Sequence, residues 1–124
     1  MGDFKDLKVW QRARRFASLV YRVTDAFPPK EQYGLTAQSR RAAVSIMSNL
    51  AEGSGRGSDR ELLRFVRIAL GSSREVESHL ILAQDLRLAR PEHLSSLRKE
   101  VQEIRSMLAA LAKAARGGRL MAEG

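Results

Sequence analysis

The chain has no cysteine, so disulfides, thiolate metal sites and a cysteine nucleophile are excluded, and a reducing compartment suits it. Proline is scarce: only Pro28, Pro29 and Pro91 occur, which leaves long stretches free to be helical. Aromatic residues are also few, four Phe, two Tyr and one Trp, so a surface that stacks bases is not expected. No apolar run approaches the roughly 20 residues that span a bilayer. The stretch "MGDFKDLKVW" lacks the apolar centre of a signal peptide, and "MGDFKD" lacks the Ser/Thr of a myristoylation signal. A cytoplasmic protein with no membrane role is the expectation.

What the chain has in excess is positive charge. Its 124 residues, one domain's worth, carry 22 Lys and Arg against 14 Asp and Glu, a formal charge of +8. That balance favours polyanionic partners, nucleic acid first. A solvated basic surface with no ligand gives the same count.

Helical periodicity dominates and strand-like alternation is almost absent. Helices are expected at about 7–26, 35–52, 59–86 and 91–115. In the first, Trp10, Ala13, Phe16, Ala17, Val20, Val23 and Phe27 share one face and Arg12, Arg14, Arg15, Arg22 and Asp25 the other, until Pro28 and Pro29 end it. The second carries Leu35, Ala42, Ile46 and Leu50 among many small residues, with Asn49 and Glu52 expected to tie its end to neighbouring helices. The third starts at a capping box, Ser58 and Glu61. Its apolar residues, Leu62 to Ile81, spread over roughly 220° of the wheel, wider than the ~100° that one buried face needs. A second buried face points to self-association. The fourth opens on Pro91, carries the seam Leu94, Leu97, Val101, Ile104, Leu108 and Leu111, and is capped by Gly117 and Gly118, with 117–124 expected to fray. The sum is an all-α protein, one antiparallel up-down-up-down four-helix bundle.

Sites of known chemistry fail on spacing. "NLAEGSGRGSDRE" suggests a phosphate loop, but Walker A needs a lysine and a different glycine spacing, and a Rossmann fingerprint needs a preceding strand and a glycine where Ser58 stands. Its glycines read instead as a turn: Gly53 ends the second helix, Gly55 and Gly57 allow positive φ, and Ser58 starts the third. Glu75 and His79 do not form the Glu-x-x-His pair of di-iron bundles, and His93 stands alone. No G-x-S-x-G elbow occurs. No catalytic residue, metal or cofactor is expected.

Arginine remains. Arg40 and Arg41 on the second helix, Arg56 in the loop, and Arg60, Arg64 and Arg67 on the third could merge into one patch along the hairpin. Guanidinium groups bind phosphate without base-specific geometry. Salt bridges with Glu52, Glu61, Glu75 and Glu77 are the structural alternative.

Three stretches, "FKDLKVWQRA", "FPPKEQYGLTAQSRRAAVSIMSNLAEGSGR" and "ELLRFVRIALGSSREVESHLILAQDL", resemble the four-helix-bundle proteins of the 23S rRNA intervening-sequence family. The similarity runs from about Phe4 to Leu86 and more loosely through the last helix. One departure is Met47, where many members carry proline. The resemblance implies a bacterial protein assembling as a homopentamer. It also implies kinship with the accessory protein of diversity-generating retroelements, a basic pentameric barrel that binds nucleic acid and a reverse transcriptase. It supplies no catalytic residue. The expectation is therefore a non-enzymatic homo-oligomer that binds RNA or DNA backbone. The alternative is a scaffold or adaptor whose apolar faces bind a protein partner.

Overall fold

The computed structural model describes residues 2–121. It contains four long helices, α1 (Lys8–Thr24), α2 (Ala37–Ser54), α3 (Asp59–Asp85) and α4 (Pro91–Arg116), and no strand among the described residues. A single turn of tight helix, Phe4–Asp6, precedes α1.

Each helix forms where an apolar stripe repeats every three or four residues. On α1 the stripe is Trp10, Ala13, Phe16, Ala17 and Val20, all buried, while Arg14, Arg15 and Arg22 are exposed on the other side. The helix stops as Thr24 turns its hydroxyl onto the Val20 carbonyl (2.7 Å) and the chain runs into Pro28 and Pro29. A short linker follows, a tight turn at Pro29–Glu31 and a wide one at Gln32–Thr36, and α2 then continues unbroken through Met47.

The turn between α2 and α3 uses its glycines differently from the sequence expectation. Gly53 lies inside α2, which runs on to Ser54, and a Cβ on it would meet Phe65 Cβ at 2.8 Å and Leu62 Cα at 3.5 Å. It is glycine because α3 approaches too closely for a side chain, not because the helix ends there. Gly55 has an ordinary helical φ of −86°, and the left-handed residue is Gly57, at +82°. Ser58 Oγ accepts the Glu61 N–H at 3.1 Å, one half of the capping box. The Glu61 carboxylate turns to Arg64 instead.

Helix α1 packs on α2 and α4, and α3 packs on the same two. Ser45 meets Ser72 and Gly53 meets Leu62 and Phe65; likewise Glu77 meets Arg105 and Gln84 meets Arg98. In both pairs, rising numbers on one helix meet falling numbers on the other. Phe16, Ile46, Leu50, Leu62, Val66, Leu80, Leu94, Ile104 and Leu108 fill the centre with no exposed surface. Each contributes about 1.5–3 kcal/mol by leaving water, so the core dominates the stability.

After α4 the chain reverses at Gly118, whose φ is +67°. Leu120 then donates its N–H to Asp59 Oδ2 (3.1 Å), and Leu120 and Met121 pack half-buried on the core. The part of the fraying expectation that concerns 122–124 lies outside the described residues.

Candidate polyanion interface

The six arginines singled out from the sequence fall into two groups, because α2 rises about 1.5 Å per residue and separates Arg40 from Gly53 by about 20 Å. Arg40 belongs to the start of α2. It donates to Thr24 Oγ1 (2.9 Å), the Tyr21 carbonyl (3.3 Å) and Asp25 Oδ1 (2.8 Å), and lies 4.5 Å from the Tyr21 ring centroid. Its donors are committed to joining α1 and α2. Arg41, beside it, is exposed and makes no ion pair among the described residues.

At the other end, Arg56 and Arg64 both lie against the Phe65 ring, at 5.1 and 4.9 Å from its centroid. Each also pairs locally, Arg56 with Glu52 (2.8 Å) and Arg64 with Glu61 (3.3 Å). Arg60 and Arg67 are exposed without an ion partner among the described residues. One continuous hairpin patch therefore does not form. Three of the six are engaged within the chain, and Arg41, Arg60 and Arg67 keep free guanidinium groups.

The other polar residues of the motif act locally. Asn49 donates to the Ser45 carbonyl and hydroxyl (2.8 and 3.0 Å), and it is Ser45 that reaches across to Ser72 on α3, at 2.9 Å. Glu52 pairs with Arg56 and ties no second helix. Glu77, which was a possible hairpin partner, binds Arg105 and Gln102 of α4.

Sequence reasoning placed Arg14, Arg15 and Arg22 outward on α1 but did not make them site candidates. In the fold they are exposed, as is Lys8, and α1 contains no carboxylate of its own. The available signal was this run of one-signed charge. The fifth cation of α1, Arg12, is the exception. Its Nε and Nη2 grip both oxygens of Glu100 on α4 (2.7 and 2.8 Å), and Nη2 also reaches Glu103 (2.7 Å). Hydrogen bonds from Arg12 hold the Glu100 carboxyl below its usual range, and donating to Glu100 and Glu103 raises the Arg12 guanidinium further.

Three open depressions indent the surface beside α1, and Arg15 lines all three: those of about 530 and 240 Å³ lie between α1 and α4, and one of about 520 Å³ lies on the other side of Arg15, between α1 and the turn that precedes it. Among the described residues no three His, Cys, Asp or Glu side chains converge as a metal site would need. No described helix is long and apolar enough to cross a membrane.

An all-helical four-helix protein with an outward arginine surplus is the class this geometry defines. Residues 5–110 match the family described as 23S rRNA-intervening sequence protein. The chain belongs to that family. It is also similar to a crystallised protein of the S23 ribosomal protein family from Bacteroides thetaiotaomicron VPI-5482, described as of unknown function. The TM-score is 0.77 at 23% identity, covering 85% of this chain and 98% of that one. At that identity the likeness speaks for the fold alone. No curated protein matches the chain.

Proposed function

We propose that this is a non-enzymatic, homo-oligomeric protein that binds the backbone of RNA or DNA through exposed arginines. The single observation that carries this is the placement of the charge. Of a formal surplus of +8, much sits on exposed cations, Lys8, Arg14, Arg15 and Arg22 of α1 together with Arg41, Arg60 and Arg67, that form no salt bridge among the described residues. Guanidinium groups free of partners on a basic protein attract phosphate, and with few exposed aromatics the contacts would be to backbone and not to bases. The protomer in this proposal is an antiparallel up-down-up-down bundle. It assembles with copies of itself, five in number as the family resemblance implies, and works in the cytoplasm.

Oligomerisation has its own support in the outward side of α3. Ile68, Leu82 and Leu86 share one face there at 44%, 45% and 52% exposure, with Glu75 between the first two, an interrupted apolar strip that water disfavours and a second copy would cover. The same strip keeps alive the reading in which the protein is a scaffold for another protein, with charge serving solubility.

Binding to a labelled RNA or duplex DNA decides between them. Affinity should fall steeply between about 50 and 200 mM salt, each neutralised phosphate adding roughly 0.7–0.9 to the log–log slope. No binding at about 50 mM salt, where electrostatic attraction is strong, would overturn the nucleic-acid reading. A protein partner that survives nuclease would then favour the scaffold.

A further inference from the structure

We infer that the outward face of α1, not the α2–α3 hairpin, is the main surface on which a polynucleotide backbone lies. This deepens the proposed function and rests on it. The hairpin arginines are divided between two ends of α2, and half of them are engaged by Asp25, Glu52 and Glu61. The face of α1 is less divided and less engaged: its cations lie on one helix, and of them Arg12 alone is gripped by carboxylates, while Arg15 lies close enough to Glu100 to help lower its carboxyl. Lys8, Arg15 and Arg22 recur at seven-residue intervals, so all three project from one side of the helix, over a span of about 21 Å. One strand of a duplex presents about 6 phosphates over that length. None of the three forms a salt bridge among the described residues.

The flanks extend this row. Arg14 and Lys5, the latter paired with Asp3 (3.4 Å), line the depression on one side of Arg15, and Lys99 of α4 lines the one on the other. Arg14 also lies 5.8 Å from the Trp10 ring centroid, which restrains it on the surface. The carboxylates nearby, Glu100 and Glu103, already accept from Arg12, which lowers their opposition to an incoming anion. Open depressions that adjoin at Arg15 suit a chain of phosphates better than one small anion.

An acidic protein is the less fitting partner. Protein interfaces depend on a few buried aromatic or aliphatic anchors, and between the cations of this row lie Gln11 and Ser18. The large exposed apolar residue of α1, Tyr21, is occupied by Arg40. Phosphate needs no such anchor.

The test compares two triple variants of the full chain. One is Lys8→Gln, Arg15→Gln, Arg22→Gln; the other is Arg41→Gln, Arg60→Gln, Arg67→Gln. Fluorescence anisotropy with a labelled RNA of about 20 nucleotides and a duplex DNA of similar length, each longer than the ~6-phosphate footprint, reads affinity across the salt series. The α1 variant should bind about 10-fold or more weakly, and its salt slope should drop by roughly 2–3, one contact per lost cation. The hairpin variant should change by less than about 3-fold, as peripheral charges do. All six residues are exposed, so both melting curves should overlay the parent's, and any shift identifies a folding effect. Equal binding by the α1 variant and the parent overturns this inference while leaving the proposed function standing. Failure of the parent to bind removes both. If polyglutamate displaces the RNA as well as an equal charge of unlabelled RNA does, the face belongs to an acidic protein and the inference is also overturned.

Discussion

The outward sides of α1 and α3 are built on opposite plans, although each helix packs on the same two neighbours, α2 and α4. Helix α1 exposes cations with no carboxylate of its own; the cation closest to α4, Arg12, borrows two carboxylates from that helix. Helix α3 carries arginines too, but outward it also carries Glu61, Glu75 and Asp85, and it leaves Ile68, Ile81 and Leu82 exposed, with Leu86 just past its end. Surplus charge and surplus apolar surface are thus segregated. A charged face resists a like-charged copy of itself, whereas an apolar strip with charges of both signs can be covered by one. In the proposed function the first side meets the polyanion and the second a further copy of the chain, and mutations should separate the two.

The largest effect is expected on α3. Leu82→Glu combined with Ile68→Glu places charge in the strip without touching the core, since both side chains are more than two-fifths exposed. Light-scattering mass should fall from that of the oligomer to that of the 124-residue monomer, because an unpaired charge in a covered contact is strongly unfavourable. Nucleic-acid binding by each protomer should persist with lower avidity. An unchanged mass would remove α3 from the interface.

The next effect belongs to the α1–α4 seam. Arg12→Ala leaves Glu100 and Glu103 without their cation and removes the packing of Arg12 on Met107. With Arg12 about 30% exposed, solvent screening moderates the loss, and about 1–2 kcal/mol is expected at neutral pH. The pH dependence follows from the depressed Glu100 carboxyl. Its contribution is fully present above the unfolded value of 4.5 and is lost as pH falls through the lower folded value. The melting-temperature gap between parent and Arg12→Ala should therefore be widest near neutrality and narrow below pH 4.5. A gap that stays constant into acid would show that Arg12 acts by packing alone.

Much of the fold was legible because periodicity and punctuation agree. The stripe Trp10 to Val20, the seam Leu94 to Leu108 and the stops at Pro28, Pro29 and Gly118 each follow from local rules. The candidate site was less legible, for a geometric reason. Proximity of Arg40, Arg41, Arg56 and Arg60 in sequence suggested one patch, yet a helix of eighteen residues carries its ends far apart. Whether an arginine is free depends on partners that sequence does not order: Arg40 found Asp25, whereas Arg41, one residue on, found none. Gly53 taught the same lesson, since its glycine character answers to Phe65, twelve residues away on another helix, and not to the turn beside it.

The smallest effect is the most discriminating. Gly71 sits in the middle of α3, where glycine costs about 0.5–1 kcal/mol relative to alanine. Nothing lies within 4 Å of the position a Cβ would occupy, so the protomer itself gives no reason for the glycine. Gly53, by contrast, is explained inside the protomer. If the outward side of α3 is covered by another copy, close approach at Gly71 supplies the missing reason. Gly71→Ala should then raise the melting temperature of the monomeric Ile68→Glu, Leu82→Glu variant by the equivalent of about 0.5–1 kcal/mol. In the assembled parent the same methyl would press on the neighbouring copy and lower it. A rise in both backgrounds would mean that the face around Gly71 stays open, and the apolar strip would then be left to a different partner.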